Sequence, residues 1–429
     1  METPTRLFSA CDWKTAAIAV LLALSVFTVT LAPTVTLEYS GALITAANHL
    51  GVARPPGYPL WTLMAKGFIC LFPHSSYHGH PNPAWAVNFM SAVLGSLSCG
   101  LLAMLASRLS RELLPPPMPP ALCAVAGLVS ALLFAFSPVM WSQSVIAETH
   151  TLTTFFFLLL LTVSLHWISP GHPPVANLSA FLFGLGLSIS PMLLAYAPIL
   201  LLAAALVSRR AIAHMATSVL LFLGFLAAEF RWGRIHPFYA SLILGTTLLL
   251  VLLFAIFRAT RSVSIQLALL LAGLIPYLYL PLASAHNPPM NMGQACTWAG
   301  FWHVVCRGQY EAMNPANPWT EPLVFARQLL WYARLATAQF PGPLAALALI
   351  PAFGLPWLPN HARKFIGLLL AALFCFSIVV LVGANPHLDI QNSFILRVDF
   401  IPSFALLSLL CGLGLGMLLC AFSSKRNVA

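Results

Sequence analysis

Long apolar runs separated by short polar connections set the pattern of this chain. Runs of spanning length occur at about 15–33, 84–107, 121–139, 151–168, 212–229, 237–257, 264–283, 343–359, 365–384 and 401–421. The stretch 178–206 is long for one helix, and Ser190-Pro191 interrupts it, which predicts two short helices meeting at a turn. The pattern therefore predicts an all-α polytopic membrane protein with about 12 transmembrane helices and both termini on one side. Three connections are long, at about 34–83, 284–342 and 385–400. Within the first, Ser40 to Leu50 carries good helix formers and predicts a short interfacial helix. The segment Pro55-Pro56-Gly57-Tyr58-Pro59 ends it, because prolines remove donors and fix φ. Leu60–Phe72 is apolar, holds Lys66 and is too short to cross a bilayer, which predicts an interfacial or re-entrant helix.

Composition agrees with this pattern. Of 429 residues, 60% are hydrophobic and 7% charged, against about 25% charged in a soluble domain. The net charge of +10 is what cytoplasmic connections facing anionic headgroups require, so it does not indicate nucleic acid. With the termini inside, 12 of the 20 basic residues fall in short inner segments, among them Arg108, Arg111, Arg209, Arg210, Arg258, Arg261, Arg363 and Lys364. Reading 178–206 as one crossing would put the last six outside. Seven of the ten acids, Glu38, Glu148, Glu229, Glu311, Glu321, Asp389 and Asp399, fall on the opposite side. Any chemistry is thus expected at the extracytoplasmic face, where the three long connections form the active-site face of a single membrane domain covering 1–429. The first run lacks a small-residue cleavage site and reads as a retained anchor in a plasma membrane. Nine cysteines show no metal-ligand spacing. Cys296 and Cys306 share one polar connection, as two free thiols or as a disulfide in an oxidising compartment.

A few residues then stand out chemically. Glu38 follows closely on the first run, where desolvation would raise the pKa of an uncompensated carboxylate and suit it to act as a base; the alternative is a solvated interfacial acid. Arg54 and Arg397 lie on the same predicted side and carry the guanidinium fork that suits phosphate oxygens. Arg327 and Arg334, seven residues apart, read as a solvated helix face or as partners of Glu321. Glu148 and His150 are two positions apart and would not share a helix face, so they make a weak metal pair. The segment Tyr279–Tyr310, with Asn287, Trp298 and Trp302, mixes rings and amides, as sugar-binding surfaces and membrane interfaces both do.

The run SGALITAANHLGVARPPGYPLW at Ser40–Trp61 resembles the first-loop signature of a membrane-protein family widespread in bacteria. The eukaryotic member of that family is the transmembrane protein O-mannosyltransferase of IPT domains. NPAWAVNFMSAV at Asn82–Val93, WSQSVIAETHTLTTFFF at Trp141–Phe157 and PYLYLPLASAHNPPMNMG at Pro276–Gly293 are similar to further family motifs. The resemblance implies a GT-C-like bundle with interfacial helices in the first external loop. It implies transfer of a sugar such as mannose from a polyprenyl-phosphate donor to a hydroxyl of a protein or glycan acceptor. Read with this resemblance, Glu38, the carboxylate one position before the residue that aligns with the family's aspartate, is assigned as the base, Arg54 and Arg397 as the donor-phosphate ligands, and Tyr39, Tyr58, Glu148, His150, Asn287 and Trp298 as substrate contacts. No resident cofactor is implied, and assistance by a divalent cation is left open. The sequence departs from the family pattern where an aspartate aligns with Tyr39, a glutamate with Ala42, a histidine with Arg54 and an arginine with Ala283. Those departures keep a catalytically inactive relative in view, beside a transporter or flippase of lipid-linked sugars.

Overall fold

The computed structural model describes residues 8–113, 118–169, 175–209, 211–218, 261–308 and 318–426. Most of the predicted span 212–229, all of the span 237–257, and Arg210, Glu229, Arg258 and Glu311 lie outside the described residues. Apart from one two-residue hairpin, the described regular structure is helical. Five helices are long and apolar enough to cross a membrane: Ala10–Val29, Pro83–Leu113, His150–Ile168, Asn360–Ala384 and Ile390–Phe422. Three bent pairs raise that to as many as eight, so among the described residues the count of twelve is not reached. The pairs are Pro120–Ala135 with Pro138–Ser144 at 71°, Arg261–Gly273 with Ile275–Ala285 at 41°, and Pro322–Thr337 with Gly342–Phe353 at 112°. Prolines account for two of these breaks: Pro138 follows the first, and Pro341-Gly342-Pro343 sits at the third. The break read at Ser190-Pro191 is present, between Ala176–Leu187 and the helical segment Pro191–Val207, with the Ser190 side chain accepting from the Met192 N–H.

The chain divides into two compact units, one of residues 1–32, 88–172 and 313–429 and one of residues 33–87 and 173–312. In the first, helix Ile401–Arg426 packs closely on its neighbours. A Cβ on Gly414 would run into the backbone carbonyl of Leu347, so that the segment around Leu347 lies directly on the spanning helix. The first unit also buries charge. Asp12, fully buried, is held bidentately by Arg111 at 2.7 and 3.0 Å and accepts from the Ser107 hydroxyl at 2.7 Å. Arg108 pairs with Glu112 at 2.8 Å and donates to the Ser169 hydroxyl at 2.7 Å. Arg111 and Ser107 thus tie helix Pro83–Leu113 to helix Ala10–Val29 through Asp12, and Arg108 ties it to the end of helix His150–Ile168.

In the second unit, helix Ser40–His49 ends as Leu50 turns left-handed (φ 49°). The Gly51 N–H returns to the Ala46 carbonyl at 2.8 Å, and the Lys66 ammonium, from helix Pro59–Leu71, caps the Asn48 carbonyl at 2.7 Å. Both predicted short helices of the first connection are thus present, tied to each other by Lys66. The hairpin Ser76–Tyr77/His80–Pro81 turns through His78 and Gly79, both at positive φ. Asn82 anchors its base, donating to the Pro33 carbonyl at 2.7 Å, while Ser75 donates to the Asn82 carbonyl at 2.8 Å.

Candidate active site

Two stretches that carry the family resemblance meet in the second unit. Val52 and Asn291 form an isolated parallel bridge, with the Val52 N–H donating to the Met290 carbonyl at 2.8 Å and the Met292 N–H to the Val52 carbonyl at 3.1 Å. The Tyr279 hydroxyl donates to the Gly51 carbonyl at 2.9 Å, across 228 positions of sequence. No side chain fits at Gly51, because a Cβ there would strike the Met290 carbonyl oxygen. Around this joint Val52, Leu280, Ala283, Ala295 and Val304 form a buried cluster, with Tyr277, Tyr279 and Phe301 packed on its edge. The joint is a fixed platform for whatever the first connection presents.

The platform presents a stacked arginine. The Arg54 guanidinium carbon lies 3.5 Å from the centroid of the Tyr39 ring and 5.7 Å from that of Tyr58. Tyr58 is buried and left-handed (φ 44°), and its carbonyl accepts from the Thr62 N–H at 2.9 Å as helix Pro59–Leu71 begins. The Gly57 N–H closes a turn onto the Arg54 carbonyl at 2.8 Å, and the Pro55–Pro56 bond is cis. A guanidinium stacked on one ring and close to a second is restrained in orientation while keeping its charge and donors, which suits recognition of an oxyanion. Glu38, the proposed base, also sits at positive φ (68°). Its side chain is exposed, on the connection between helix Ala10–Val29 and helix Ser40–His49.

The other expected residues of the second unit are Asn287 and Trp298. Asn287 is exposed at φ 46°, its N–H donating to the Ser284 carbonyl at 3.1 Å. Trp298 opens helix Trp298–Val305, with ring centroids 6.4 Å from Phe301 and 5.6 Å from Trp302. Cys296 and Cys306 are both free thiols.

Glu148, His150 and Arg397 belong to the first unit. Glu148 is 1% exposed, and its carboxylate accepts from the Thr149 N–H at 3.3 Å as helix His150–Ile168 begins. The Arg397 guanidinium stacks on the Phe394 ring at 3.4 Å and donates to the Phe394 carbonyl at 3.1 Å. Asp389 caps helix Ile390–Leu396 by accepting from the Asn392 N–H at 2.8 Å and side-chain amide at 2.6 Å. These bonds hold the Asp389 carboxyl below its ordinary value. Trp141, at the start of the family-like segment Trp141–Phe157, donates its indole N–H to the Thr30 hydroxyl at 3.0 Å. Among the described residues no group of three His, Cys, Asp or Glu side chains is placed to hold a metal ion. Tyr279 and Tyr277 were missed as site-building residues; Tyr277 donates to the Leu187 carbonyl at 3.0 Å. The signal was the YLYLP run itself, two phenols in an otherwise apolar stretch.

Residues 40–214 match the family described as the protein O-mannosyl-transferase TMEM260 N-terminal domain. The chain is 26% identical over 409 residues to the mouse (Mus musculus) protein O-mannosyl-transferase TMEM260, a match covering 92% of this chain and 48% of the relative. It is 29% identical over 159 residues to the Dictyostelium discoideum protein of that description, covering 36% of this chain and 18% of the relative. The chain therefore spans less than half the length of these relatives. Among solved structures it is similar to ArnT from Cupriavidus metallidurans bound to undecaprenyl phosphate, with a TM-score of 0.49 and 14% identity over 95% of this chain and 60% of that one. It is also similar to the Archaeoglobus fulgidus oligosaccharyltransferase in complex with zinc and sulfate, with a TM-score of 0.46 and 15% identity over 97% of this chain and 50% of that one. The chain is thus similar to the TMEM260 protein O-mannosyl-transferases, and residues 40–214 are the part that matches the model of their N-terminal domain.

Proposed function

We propose that this protein is a membrane glycosyltransferase of GT-C type that transfers a sugar, mannose by analogy with its relatives, from a polyprenyl-phosphate donor to a hydroxyl of a protein or glycan at the extracytoplasmic face. The observation that carries this reading is the Arg54 guanidinium stacked on Tyr39 and beside Tyr58, mounted on the joint of two family-like segments. Transfer from a phosphate-linked sugar develops negative charge on the leaving phosphate, and a preorganised cation is the largest single term an enzyme can supply there.

In this mechanism the Glu38 carboxylate takes the proton of the acceptor hydroxyl. The acceptor oxygen attacks the anomeric carbon from the face opposite the phosphate, and the new C–O bond forms with inversion. The bond between the anomeric carbon and the phosphate oxygen breaks, and its electron pair leaves with the polyprenyl phosphate, whose charge Arg54 stabilises. Proton, sugar and charge balance without a further reactant. Tyr39 and Tyr58 restrain the guanidinium, and Asn287 and Trp298 are assigned to substrate contacts. Glu148, His150 and Arg397 are proposed site residues to be tested by substitution in the same assay.

The test is transfer by the purified protein in nanodiscs from a panel of polyprenyl-phosphate sugars, wild type beside Glu38→Gln. Glu38→Gln keeps the shape and removes the base, so transfer falls by about 10²–10⁴-fold while donor binding is retained. Unchanged transfer in Glu38→Gln overturns the role of Glu38. A second reading, an inactive relative, draws on the exposure of Glu38 and the placement of the Tyr39 ring over Arg54. It is favoured if the wild type neither binds nor turns over any donor of the panel.

A further inference from the structure

Helix Pro322–Thr337 of the first unit has no role in the proposed chemistry and presents an unusual face. Its inner face is fixed. The fully buried Gln328 side chain donates to the Asn385 side-chain oxygen at 2.8 Å and to the Pro386 carbonyl at 3.1 Å. The Tyr332 hydroxyl donates to the Ser403 hydroxyl at 3.0 Å, and the Trp331 ring meets Phe400 edge-on at 5.7 Å. Successive outward positions, spaced by three or four, are Leu323, Arg327, Leu330 and Arg334, one stripe on a helix of 3.6 residues per turn. Leu323 is 76% exposed and Leu330 51%, and Trp319, just before the helix, is 92% exposed. The helix holds no acidic residue, and among the described residues neither Arg327 nor Arg334 has an ion-pair partner. The Glu321 pairing considered from the sequence is not formed.

The bend beyond this helix sets its orientation. The following segment, Gly342–Phe353, turns through 112° and lies along the spanning helix Ile401–Arg426, where the Leu347 carbonyl meets Gly414. A segment running with a spanning helix lies along the membrane normal, so its near-perpendicular neighbour lies close to the membrane plane. Its contacts with Phe400 and Ser403 put it at the level where the spanning helix begins. Arginines alternating with leucines, on a helix lying at the interface beside an exposed tryptophan, match phosphate headgroups above and acyl carbons below.

We propose that the stripe Leu323, Arg327, Leu330 and Arg334 is a docking surface for the phosphate headgroups of anionic bilayer lipids, which seat helix Pro322–Thr337 in the interface with Trp319 at its edge. Each arginine facing anionic headgroups shifts lipid preference by about fivefold, so the pair favours anionic over zwitterionic lipid by about 25-fold at this contact. The inference does not depend on the proposed glycosyl transfer.

The experiment uses the full chain in nanodiscs of brominated phosphatidylglycerol or brominated phosphatidylcholine mixed with unlabelled lipid of the other class. The emission of Trp319 is taken as wild type minus Trp319→Phe, read against the same difference for variants of the stripe. Trp319 is expected to be quenched strongly by the anionic bromolipid when it is the minor component. The preference is expected to be lost in Arg327→Gln/Arg334→Gln and kept in Arg327→Lys/Arg334→Lys, which retains charge and guards against a folding defect. Equal quenching by both lipids overturns the proposal, as does a preference unchanged in the glutamine variant or absent quenching by either lipid. Displacement of phosphatidylglycerol by polyprenyl phosphate at equimolar protein would also overturn it, by making the stripe a site for that one lipid.

Discussion

Replacing Gly51 by alanine should dissociate the joint on which the candidate site stands. A Cβ at this position meets the carbonyl oxygen of Met290, the same oxygen that accepts the Val52 N–H at 2.8 Å. The strand-like pairing cannot give way by rotating a flexible side chain, since the obstacle is backbone, so Met290 and Val52 must separate. That breaks the two hydrogen bonds of the bridge and disturbs the bond of Tyr279 to the Gly51 carbonyl. At about 1 kcal/mol net for each of these hydrogen bonds, the loss is roughly 2–3 kcal/mol. For a unit of this size that corresponds to a fall in Tm of about 5–10 °C. Detergent-solubilised protein followed by fluorescence-detected size exclusion after heating measures the shift. Hydrogen exchange over residues 50–54 and 288–293 shows whether both sides of the bridge open together. A cycle with Tyr279→Phe adds a discriminating test, since both substitutions act on one joint and their effects should fall short of additive. If Gly51→Ala melts with the wild type and the Val52 amide stays protected, the joint does not hold the first connection as described.

Three further outcomes follow from the geometry. Arg54→Lys keeps a positive charge but loses the planar group that stacks on Tyr39, so donor turnover should fall by about 10²-fold with the fold intact; turnover equal to wild type would show that charge alone suffices. Asp389 is held below its ordinary value by Asn392, so the cap it gives helix Ile390–Leu396 is complete above about pH 4 and is lost as pH falls through the lowered value. Amide exchange at residues 390–393, corrected for intrinsic rate, should accelerate only in that acid range, and Asp389→Ala should abolish the transition. Glu38→Gly relieves a positive φ and should stabilise the chain by up to about 1 kcal/mol while eliminating transfer; a destabilised Glu38→Gly would mean that the carboxylate holds the fold.

The local features of this fold were legible because their causes are local. Helix Ser40–His49 and helix Pro59–Leu71 follow from helix formers bracketed by a proline-rich turn, and the break at Ser190-Pro191 from a single proline. The count of crossings was less secure, because a sliding apolar window ignores direction. The run 343–359 reads as one more span, and Gly342–Phe353 does run with the spanning helix Ile401–Arg426, but Pro341-Gly342-Pro343 at its start bends the chain by 112° from helix Pro322–Thr337, an angle that an apolar window does not register. The charge tally has the same weakness: it assigns Arg108 and Arg111 a side of the membrane but not the pairs they form with Glu112 and the buried Asp12. The contact of Tyr279 with Gly51 spans 228 positions, and one sequence holds no trace of such a pairing.

The conformation of the site residues bears on whether they work or merely remain. Glu38, Tyr58 and Asn287 all hold positive φ, at 68°, 44° and 46°, and all three belong to the second unit. A residue with a Cβ is costly there, by about 1–3 kcal/mol each, and the cost persists only where surrounding structure imposes it. For Tyr58 that structure is visible: the turn closed by Gly57 on Arg54, the buried ring and the start of helix Pro59–Leu71. For Glu38 it is not burial, since the side chain is exposed; the positive φ falls at the connection that leads into helix Ser40–His49. A scaffold has no use for an exposed carboxylate on a strained backbone, next in sequence to the tyrosine on which Arg54 stacks, whereas a base that must meet an acceptor hydroxyl does. Transfer lost in Glu38→Gly with stability gained would join strain to activity at one residue, and this is the outcome that the inactive-relative reading cannot produce.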